Sequence, residues 1–406
     1  MTMEKRTIIL SGGWGYGNLG DDALLEASVS MIRKRFPDHP VVVLSYDVLS
    51  SKEIVPESAS LSYSPSLHKV LFADKADDSV AAAYSFIGRL KILISETKSR
   101  HMAQSRSRKL TKAVLASPQG FAEEVSSKVS PFTDLCQDAF LYVMSGGGYL
   151  NSWGEMLVSK YVEMHVAKQY GLKCIMVGQT IGPWQSKESD SLGKLICSMA
   201  DGAFFRDTDS IADFRRWGLK CKGNAVPDLA LLNKVTPNRK LRKVAFIPFG
   251  LHTTLVIDNI ATNLMKISQA NGYDIVITAS QLWKGSIQMC TDYFIRLKKL
   301  HANVQLAIPC DVNELQDILT ESAMCISGNL HGLILAYRAS TPIISINDGR
   351  KFKSFMKLIG QEQALIPSRE ADKDNIFNAA QCAKNMDFMQ FDDEINKVFC
   401  ELTKSL

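Results

Sequence analysis

The sequence lacks several features that would assign it to a common class of protein. No apolar run approaches the roughly 20 residues that a membrane-spanning helix needs, and Met1–Arg6 has no apolar core of the kind that a secretion signal carries. The nine cysteines are scattered without a C-x-x-C pair, which favours reduced thiols over a disulfide framework. The net charge of +5 is too small to indicate nucleic-acid binding. We therefore expect a cytoplasmic protein.

Common signatures of metal and nucleophile sites are missing as well. The chain has no H-x-x-x-H arrangement and no G-x-S-x-G elbow. We predict a site without a metal and without a bound cofactor.

Strand and helix patterns alternate along most of the chain, which is typical of parallel α/β sheets. A polar, proline-bearing segment at 235–240 interrupts the alternation and places a domain boundary near residue 238. We expect doubly wound domains at 1–238 and 239–406, which bind ligands at the carboxyl ends of their strands; the last helices could pack back on the first domain. Predicted strands are Arg6–Leu10, Val41–Ser45, Phe140–Met144, Cys174–Val177, Gly202–Phe205, Lys243–Phe249, Asp274–Thr278, Asn303–Ile308, Ala323–Ser327 and Pro342–Ile346.

Positive charge is concentrated in one segment. Lys98–Lys112 contains six Lys or Arg residues and no acid, and it follows the largely apolar segment Ala81–Ile94. Such a pair of segments can dock on an anionic membrane. It is also compatible with a solvated helix or a loop.

A histidine follows one of the predicted buried strands. Ser327–Gly332 comes between the strand and an apolar helix, and it contains Asn329, Leu330 and His331. A helix start offers free N–H groups to an anion, so His331 is a candidate site residue. An exposed histidine in a capping loop is the alternative.

Two glycine-rich segments also follow strands. The first, Ser11–Asp22, includes Gly13, Asn18 and Asp21 and contains a G-x-G-x-x-G match, but the acids at its helix start would repel a pyrophosphate. The second is Gly146-Gly147-Gly148, whose backbone N–H groups suit an anion or a sugar. Both are predicted ligand-binding loops, with a structural turn as the alternative.

Three further side chains are candidates for ligand contact. Gln179 follows a strand and could hydrogen-bond a sugar or a carboxylate. Arg206 ends a short strand and could grip a carboxylate or phosphate, or form an ion pair with Asp207 or Asp209. His252 follows the first strand of the second domain and would face the cleft.

Taken in order, these segments resemble the polysaccharide pyruvyl transferase family, over a stretch from Gly12 to Gly360. In place of the family's Arg-Leu-His pattern the chain has Asn329-Leu330-His331. The matching residues are Gly17-Asn18-Leu19-Gly20-Asp21, Gly146-Gly147-Gly148, Gly178-Gln179-Thr180-Ile181-Gly182-Pro183, Arg206-Asp207 with Ser210, Pro227-Asp228, Leu330-His331-Gly332, Pro342–Ile346, Lys351 and Phe355.

The resemblance implies two Rossmann-like domains that face each other across a cleft, a GT-B-like arrangement. It also implies transfer of pyruvate from phosphoenolpyruvate to a sugar as a ketal, for a bacterial surface polysaccharide or its lipid-linked precursor. Arg206, Lys351 and the helix start after His331 would then hold the donor. We predict His331 as general acid, because histidine changes its protonation state near neutral pH.

Two other functions fit the same sequence. A GT-B glycosyltransferase that uses a nucleotide sugar would need the same domains and glycine loops. A catalytically inactive scaffold is the third interpretation, and it depends on Asn329. Under the family interpretation the protein acts at the inner face of the membrane, where Lys98–Lys112 could contact anionic lipid.

Overall fold

A computed structural model describes most of the chain. The described residues are 6–61, 105, 107–127, 130–151, 154–219, 225–233, 235, 240–250, 253–300, 302–370, 374–383 and 386–404. His252 lies outside them, as do residues 98–104 and 106 of the basic segment. Of that segment, Arg108, Lys109 and Lys112 are described, and all three are exposed on a helix at 107–116.

The first sheet has six parallel strands in the order β3-β2-β1-β4-β5-β6. Its centre is buried because β1 and β4 carry apolar side chains on both faces, as parallel strands covered by helices do. The strands are β1 Thr7–Ser11, β2 Val41–Leu44, β3 Ala59–Leu61, β4 Ala139–Leu150, β5 Lys173–Ile181 and β6 Gly202–Phe205.

The second sheet has five parallel strands in the order β11-β10-β7-β8-β9. In both sheets the strand order reverses beside the first strand, between β1 and β4 and between β7 and β10, which is where doubly wound sheets bind ligands. The strands are β7 Lys243–Ile247, β8 Asp274–Ile277, β9 Val304–Leu306, β10 Met324–Ser327 and β11 Ile343–Ser345.

Helices cover the sheets and connect their strands. The first helix begins after Asn18, whose side chain accepts from Gly20 N, and two acids in its first turn suit the helix dipole. The named helices are Leu19–Arg35, Val48–Ile54, Pro118–Ser126, Ser130–Asp138, Gly154–Gln169, Lys187–Ser198, Thr208–Arg216, Thr254–Asn271, Lys284–Lys299, Val312–Glu321, Leu330–Arg338, Arg350–Leu358, Asn375–Ala383 and Asp392–Leu402.

The prediction of two Rossmann-like domains is confirmed. The last strand of the first sheet ends at Phe205, and the first strand of the second sheet begins at Lys243. Helix Leu19–Arg35 of the first domain packs against helix Leu330–Arg338 of the second, and helix Asp392–Leu402 returns to contact the first domain. Among the described residues, no helix is long and apolar enough to cross a membrane.

The two central strands of the first sheet are longer than predicted. The prediction that β4 stops at Met144 was wrong, because it continues to Leu150 and carries the three glycines within the sheet. β5 likewise continues to Ile181 and contains Gln179, which pairs with Gly147. Pairing between the two extended strands supplies hydrogen bonds that glycine-rich sequence alone does not predict. The three glycines therefore lie within β4, near its carboxyl end.

Candidate active site

The ends of β1, β4 and β10 meet at one place between the domains. Gly20, in the first helix, lies directly under His331, and a Cβ there would overlap the imidazole ring. A Cβ on Gly148 would overlap the Lys351 ammonium and lie 3.6 Å from Arg206 Nη2. Glycine is needed at position 20, because the base of the His331 side chain lies so close, whereas at position 148 the flexible end of Lys351 would have to move. The structure thus brings together the candidate residues from both domains.

Arg206 is anchored by an ion pair. Its guanidinium contacts the Asp228 carboxylate, and its Nε donates to Thr180 Oγ1 at 2.8 Å. The alternative of an ion pair with Asp207 or Asp209 is not found, since the side chain of Arg206 pairs with Asp228. Burial raises the pKa of Asp228, but Arg206 and His331 outweigh it and hold the pKa below its usual value. Arg206 is therefore fixed, with its side chain only 6% exposed.

Lys351 is a cation without an ion-pair partner in the described part of the chain. It lies in the first turn of helix Arg350–Leu358, and its ammonium packs against Gly148. Burial and the nearby charge of Arg206 together lower the pKa of this ammonium to about 8, although Asp207 and Asp21 act to raise the pKa. A charge held in this way favours binding of an anion.

His331 is buried in the first turn of helix Leu330–Arg338. Its Nε2 has no hydrogen-bond partner among the described residues. Burial lowers its pKa to about 4; Asp228 raises the pKa, whereas Arg206 and Lys351 lower it. His331 is therefore uncharged at neutral pH, with a buried ring nitrogen available to a ligand.

Asp21 is a buried carboxyl group beside the same glycines. Its Oδ2 accepts from Tyr16 Oη at 2.7 Å and from Asn18 Nδ2 at 2.6 Å. Burial raises its pKa to about 7, although the Tyr16 hydrogen bond and the charges of Arg206 and Lys351 lower it. Asn18 is thus engaged locally, as helix cap and as partner of Asp21.

Asn329 stands where the resembling family has arginine, and it caps helix Leu330–Arg338. Its Oδ1 accepts from Gly332 N at 3.1 Å, and Ser327 Oγ accepts from Asn329 N at 2.9 Å. The cap fixes the helix start that carries His331.

Replacing Asn329 with alanine is expected to lower the free energy of unfolding by about 1 kcal/mol, because one N–H group of the first turn loses its acceptor. Urea unfolding followed by circular dichroism measures the change. Asn329→Ser keeps an acceptor and should recover most of the loss. If both variants unfold alike, the side-chain cap does not stabilise this helix.

The remaining predicted residues differ in what they contact. Gln179 is 0% exposed, and its Nε2 donates to Ser145 O and to Tyr149 Oη at 2.8 Å, which ties β4 to β5. Gly13 lies against the Tyr149 ring, 3.4 Å from an added Cβ. Leu330 lines the cavity beside Arg206. The structure gives Gln179 an internal role and places Gly13 and Leu330 at the site.

The cavity beside Arg206 is small in this conformation. Its volume for a water-sized occupant is about 20 Å³, which is enough for one water. Its lining includes Thr180, Arg206, Asp228, Leu330 and Lys351. A donor of the size of phosphoenolpyruvate therefore needs more room than the cavity has in this conformation.

The domains are joined at two places around the cavity. Arg350 donates to Ile181 O at 2.8 Å and forms an ion pair with Asp209 at 2.9 Å. On the other side, Leu282 N donates to Gly17 O at 2.7 Å, and the Tyr16 and Trp283 rings stack with centroids 5.9 Å apart. Opening must break these contacts.

A buried ion pair contacts the start of the glycine-rich segment Ser11–Asp22. Lys160 and Glu163 are 1% and 0% exposed, and their charged groups lie 3.0 Å apart. Lys160 Nζ also donates to Ser11 Oγ at 2.6 Å and to Gly12 O at 3.3 Å. Sequence reasoning missed this pair, because Lys and Glu three residues apart on a helix usually lie on its surface. No cluster of potential metal ligands occurs in the described ranges.

Comparison with known families gives one match that covers most of the chain. A family model described as polysaccharide pyruvyl transferase matches residues 18–349. The match spans both domains and includes Asp21, Arg206 and His331. A search of curated proteins found no match.

Solved structures share the fold at low sequence identity. A Listeria monocytogenes protein assigned as a UDP-N-acetylglucosamine 2-epimerase has a TM-score of 0.58 and 10% identity, over 99% of this chain and 96% of that one. The Neisseria meningitidis enzyme bound to UDP-N-acetylglucosamine has a TM-score of 0.54 and 10% identity, over 98% and 100%. The Methanocaldococcus jannaschii enzyme has a TM-score of 0.55 and 10% identity, over 98% and 99%. The likeness shows the GT-B-like fold.

Proposed function

The chain belongs to the polysaccharide pyruvyl transferase family, and on that premise we propose that it transfers pyruvate from phosphoenolpyruvate to a sugar as a ketal. The acceptor is a sugar of a surface polysaccharide or of its lipid-linked precursor. The observation that carries the proposal is the Lys351 ammonium, which faces the buried Arg206 guanidinium and the start of helix Leu330–Arg338. Two cations and a helix start suit a donor that carries both a carboxylate and a phosphate.

His331 is the general acid of this proposal. Since burial leaves it uncharged in the free protein, it must gain its proton inside the complex. The attacking sugar hydroxyl can supply that proton, and His331 then passes it to the departing phosphate. The phosphate charge favours protonated His331. Under this proposal the reaction needs no metal and no bound cofactor, because Arg206 and Lys351 offset the donor's charge.

The place of action is part of the same proposal. A lipid-linked acceptor would require work at the inner face of the membrane, and the exposed Arg108, Lys109 and Lys112 would attract anionic lipid. Equal binding to anionic and neutral vesicles would count against this membrane contact.

The donor can be tested without knowledge of the acceptor. Calorimetry should show binding of phosphoenolpyruvate and none of UDP-, GDP- or CMP-sugars. Arg206→Ala should abolish this binding, whereas Arg216→Ala, an ion-paired arginine on the surface, should leave it unchanged. Binding of a nucleotide sugar instead would make the protein a glycosyltransferase. A folded protein that binds neither would be the inactive scaffold.

Loss of Arg206 also leaves Asp228 unpaired, so misfolding must be separated from loss of binding. The double variant Arg206→Ala/Asp228→Asn removes both charges and should keep the wild-type thermal midpoint within a few degrees. It should still fail to bind phosphoenolpyruvate. Retained binding in this folded double variant would contradict the donor site.

A further inference from the structure

The proposed reaction has a proton-transfer step that His331 does not supply. Transfer begins with a proton added to the methylene carbon of the donor. His331 is uncharged in the free protein and has no proton of this kind to give. Another group at the site must hold this proton.

Asp21 is placed to meet the donor. Its Oδ2 is occupied by Tyr16 and Asn18, while its Oδ1 faces β4, 4.0 Å from the position that a Cβ on Gly147 would take. The preceding residue, Gly20, packs against the His331 ring. The residue after Gly147 packs against the Lys351 ammonium. Asp21 therefore lies close enough to Lys351 for the two charges to interact, and it follows directly the residue that contacts the histidine.

The two titratable groups are in different protonation states for physical reasons. Burial raises the pKa of Asp21 to about 7 and lowers the pKa of His331 to about 4. At neutral pH the site thus contains a carboxyl group that is about half protonated and a neutral imidazole. Groups whose surroundings separate their pKa values in this way usually divide the roles of acid and base.

We propose that Asp21 is the proton donor to the methylene carbon of the bound enol phosphate, while His331 handles the proton that moves from a sugar hydroxyl to phosphate. This inference rests on the proposed function and deepens it. It gives a catalytic role to a side chain for which the sequence indicated only substrate contact.

The protons balance over the two hydroxyl groups of the acceptor. The Asp21 carboxyl forms the new C–H bond of the methyl group as the carbon–carbon π bond breaks, which leaves a cation-like centre at the adjacent carbon. The first hydroxyl oxygen bonds to this centre and gives its proton to His331, which passes it to the phosphate as the C–O bond breaks. The second hydroxyl closes the ketal and returns its proton to the Asp21 carboxylate.

Several charged or titratable groups surround Asp21 and will influence its protonation. Tyr16, Arg206 and Lys351 lower its pKa, and the neighbouring Asp22 raises it. A bound trianionic donor offsets the two cations, so binding should draw a proton onto Asp21. The groups that act on it are Tyr16 from the glycine-rich segment, Asp22 from its own helix, Tyr149 from β4, Arg206 after β6 and Lys351 from helix Arg350–Leu358, while His331 contacts the preceding Gly20.

The test is the number of protons taken up when phosphoenolpyruvate binds, measured by calorimetry at pH 7 in buffers of different ionisation enthalpy. A group with a pKa near 7 is half ionised, so Asp21→Asn should take up roughly half a proton fewer than wild type. Its affinity should be equal or higher, because a negative charge is removed. Asp22→Asn is the matched comparison: that carboxyl, also buried, is directed toward Gly15 N and raises the pKa of Asp21, so its loss should reduce the proton uptake by less than the loss of Asp21 itself.

A second variant keeps Asp21 in place and guards against misfolding of the first. Tyr16→Phe removes a hydrogen bond that lowers the pKa of Asp21, so the proton uptake should reach its maximum at a higher pH. Equal uptake in wild type, Asp21→Asn and Tyr16→Phe would overturn the role of Asp21. Absence of any phosphoenolpyruvate binding to wild type would instead overturn the proposed function.

Discussion

Replacing Lys160 with methionine is expected to lower the free energy of unfolding of the first domain by about 3–5 kcal/mol. The change leaves the Glu163 carboxylate at 0% exposure without its counter-charge. It also removes the donor to Ser11 Oγ and Gly12 O at the end of β1. Urea unfolding at pH 7 should show a lower midpoint with an unchanged slope.

Two variants separate the buried charge from the loss of a side chain. Lys160→Met/Glu163→Gln removes both charges and keeps an acceptor for Tyr142 Oη, which donates to Glu163 at 2.7 Å; it should recover most of the stability. Lys168→Met, on the same helix, removes a 36%-exposed partner of Asp201 and should cost less than about 1 kcal/mol. Equal losses in the single and double Lys160 variants would contradict the explanation.

Replacing Lys351 with methionine is expected to weaken phosphoenolpyruvate binding about 100-fold, or roughly 2.7 kcal/mol. The variant keeps the aliphatic stem and loses the ammonium at Gly148. Because burial disfavours that ammonium, the thermal midpoint should stay the same or rise. Calorimetry and a thermal melt measure the two effects.

The pKa of Lys351 also predicts how the affinity for phosphoenolpyruvate changes with pH. The pKa of its ammonium is about 8 in the free protein, mainly because the group is buried. Below pH 8 the group is therefore already charged before the donor binds. As pH rises above 8, binding must first return a proton to Lys351, and the affinity should fall up to tenfold per pH unit. This fall should be absent in Lys351→Met.

A matched variant displaces the ammonium without deleting it. A Cβ on Gly148 would collide with the flexible end of Lys351, so Gly148→Ala should weaken donor binding while the pH-dependent fall persists. If Gly148→Ala and wild type bind equally well, the ammonium does not contact the donor.

Much of the fold follows from local pattern. The alternation of strands and helices, and glycine or histidine segments after strands, indicated doubly wound sheets with a site at strand ends. Gly20 and His331, which are far apart in sequence, both follow strands of these sheets. The structure brings them into contact.

The parts that could not be predicted depend on partners distant in sequence. Gly146-Gly147-Gly148 continues a strand because β5 extends beside it. Arg206 pairs with Asp228 rather than with its sequence neighbours. The family pattern has arginine at the position of Asn329, so the sequence suggested a missing positive charge. The structure shows instead that Asn329 accepts a hydrogen bond as a helix cap. Asp21 became a candidate acid only when its burial was known.

The small volume of the cavity has a consequence for the fidelity of the proposed reaction. A cation-like centre at the pyruvyl carbon reacts with any nearby hydroxyl, including that of water. With space for about one water when Arg350 and Gly17 join the domains, closure around both substrates leaves the sugar as the nearest nucleophile. Weakening the joint, for example with Arg350→Ala, should therefore shift the partition from ketal formation toward release of free pyruvate.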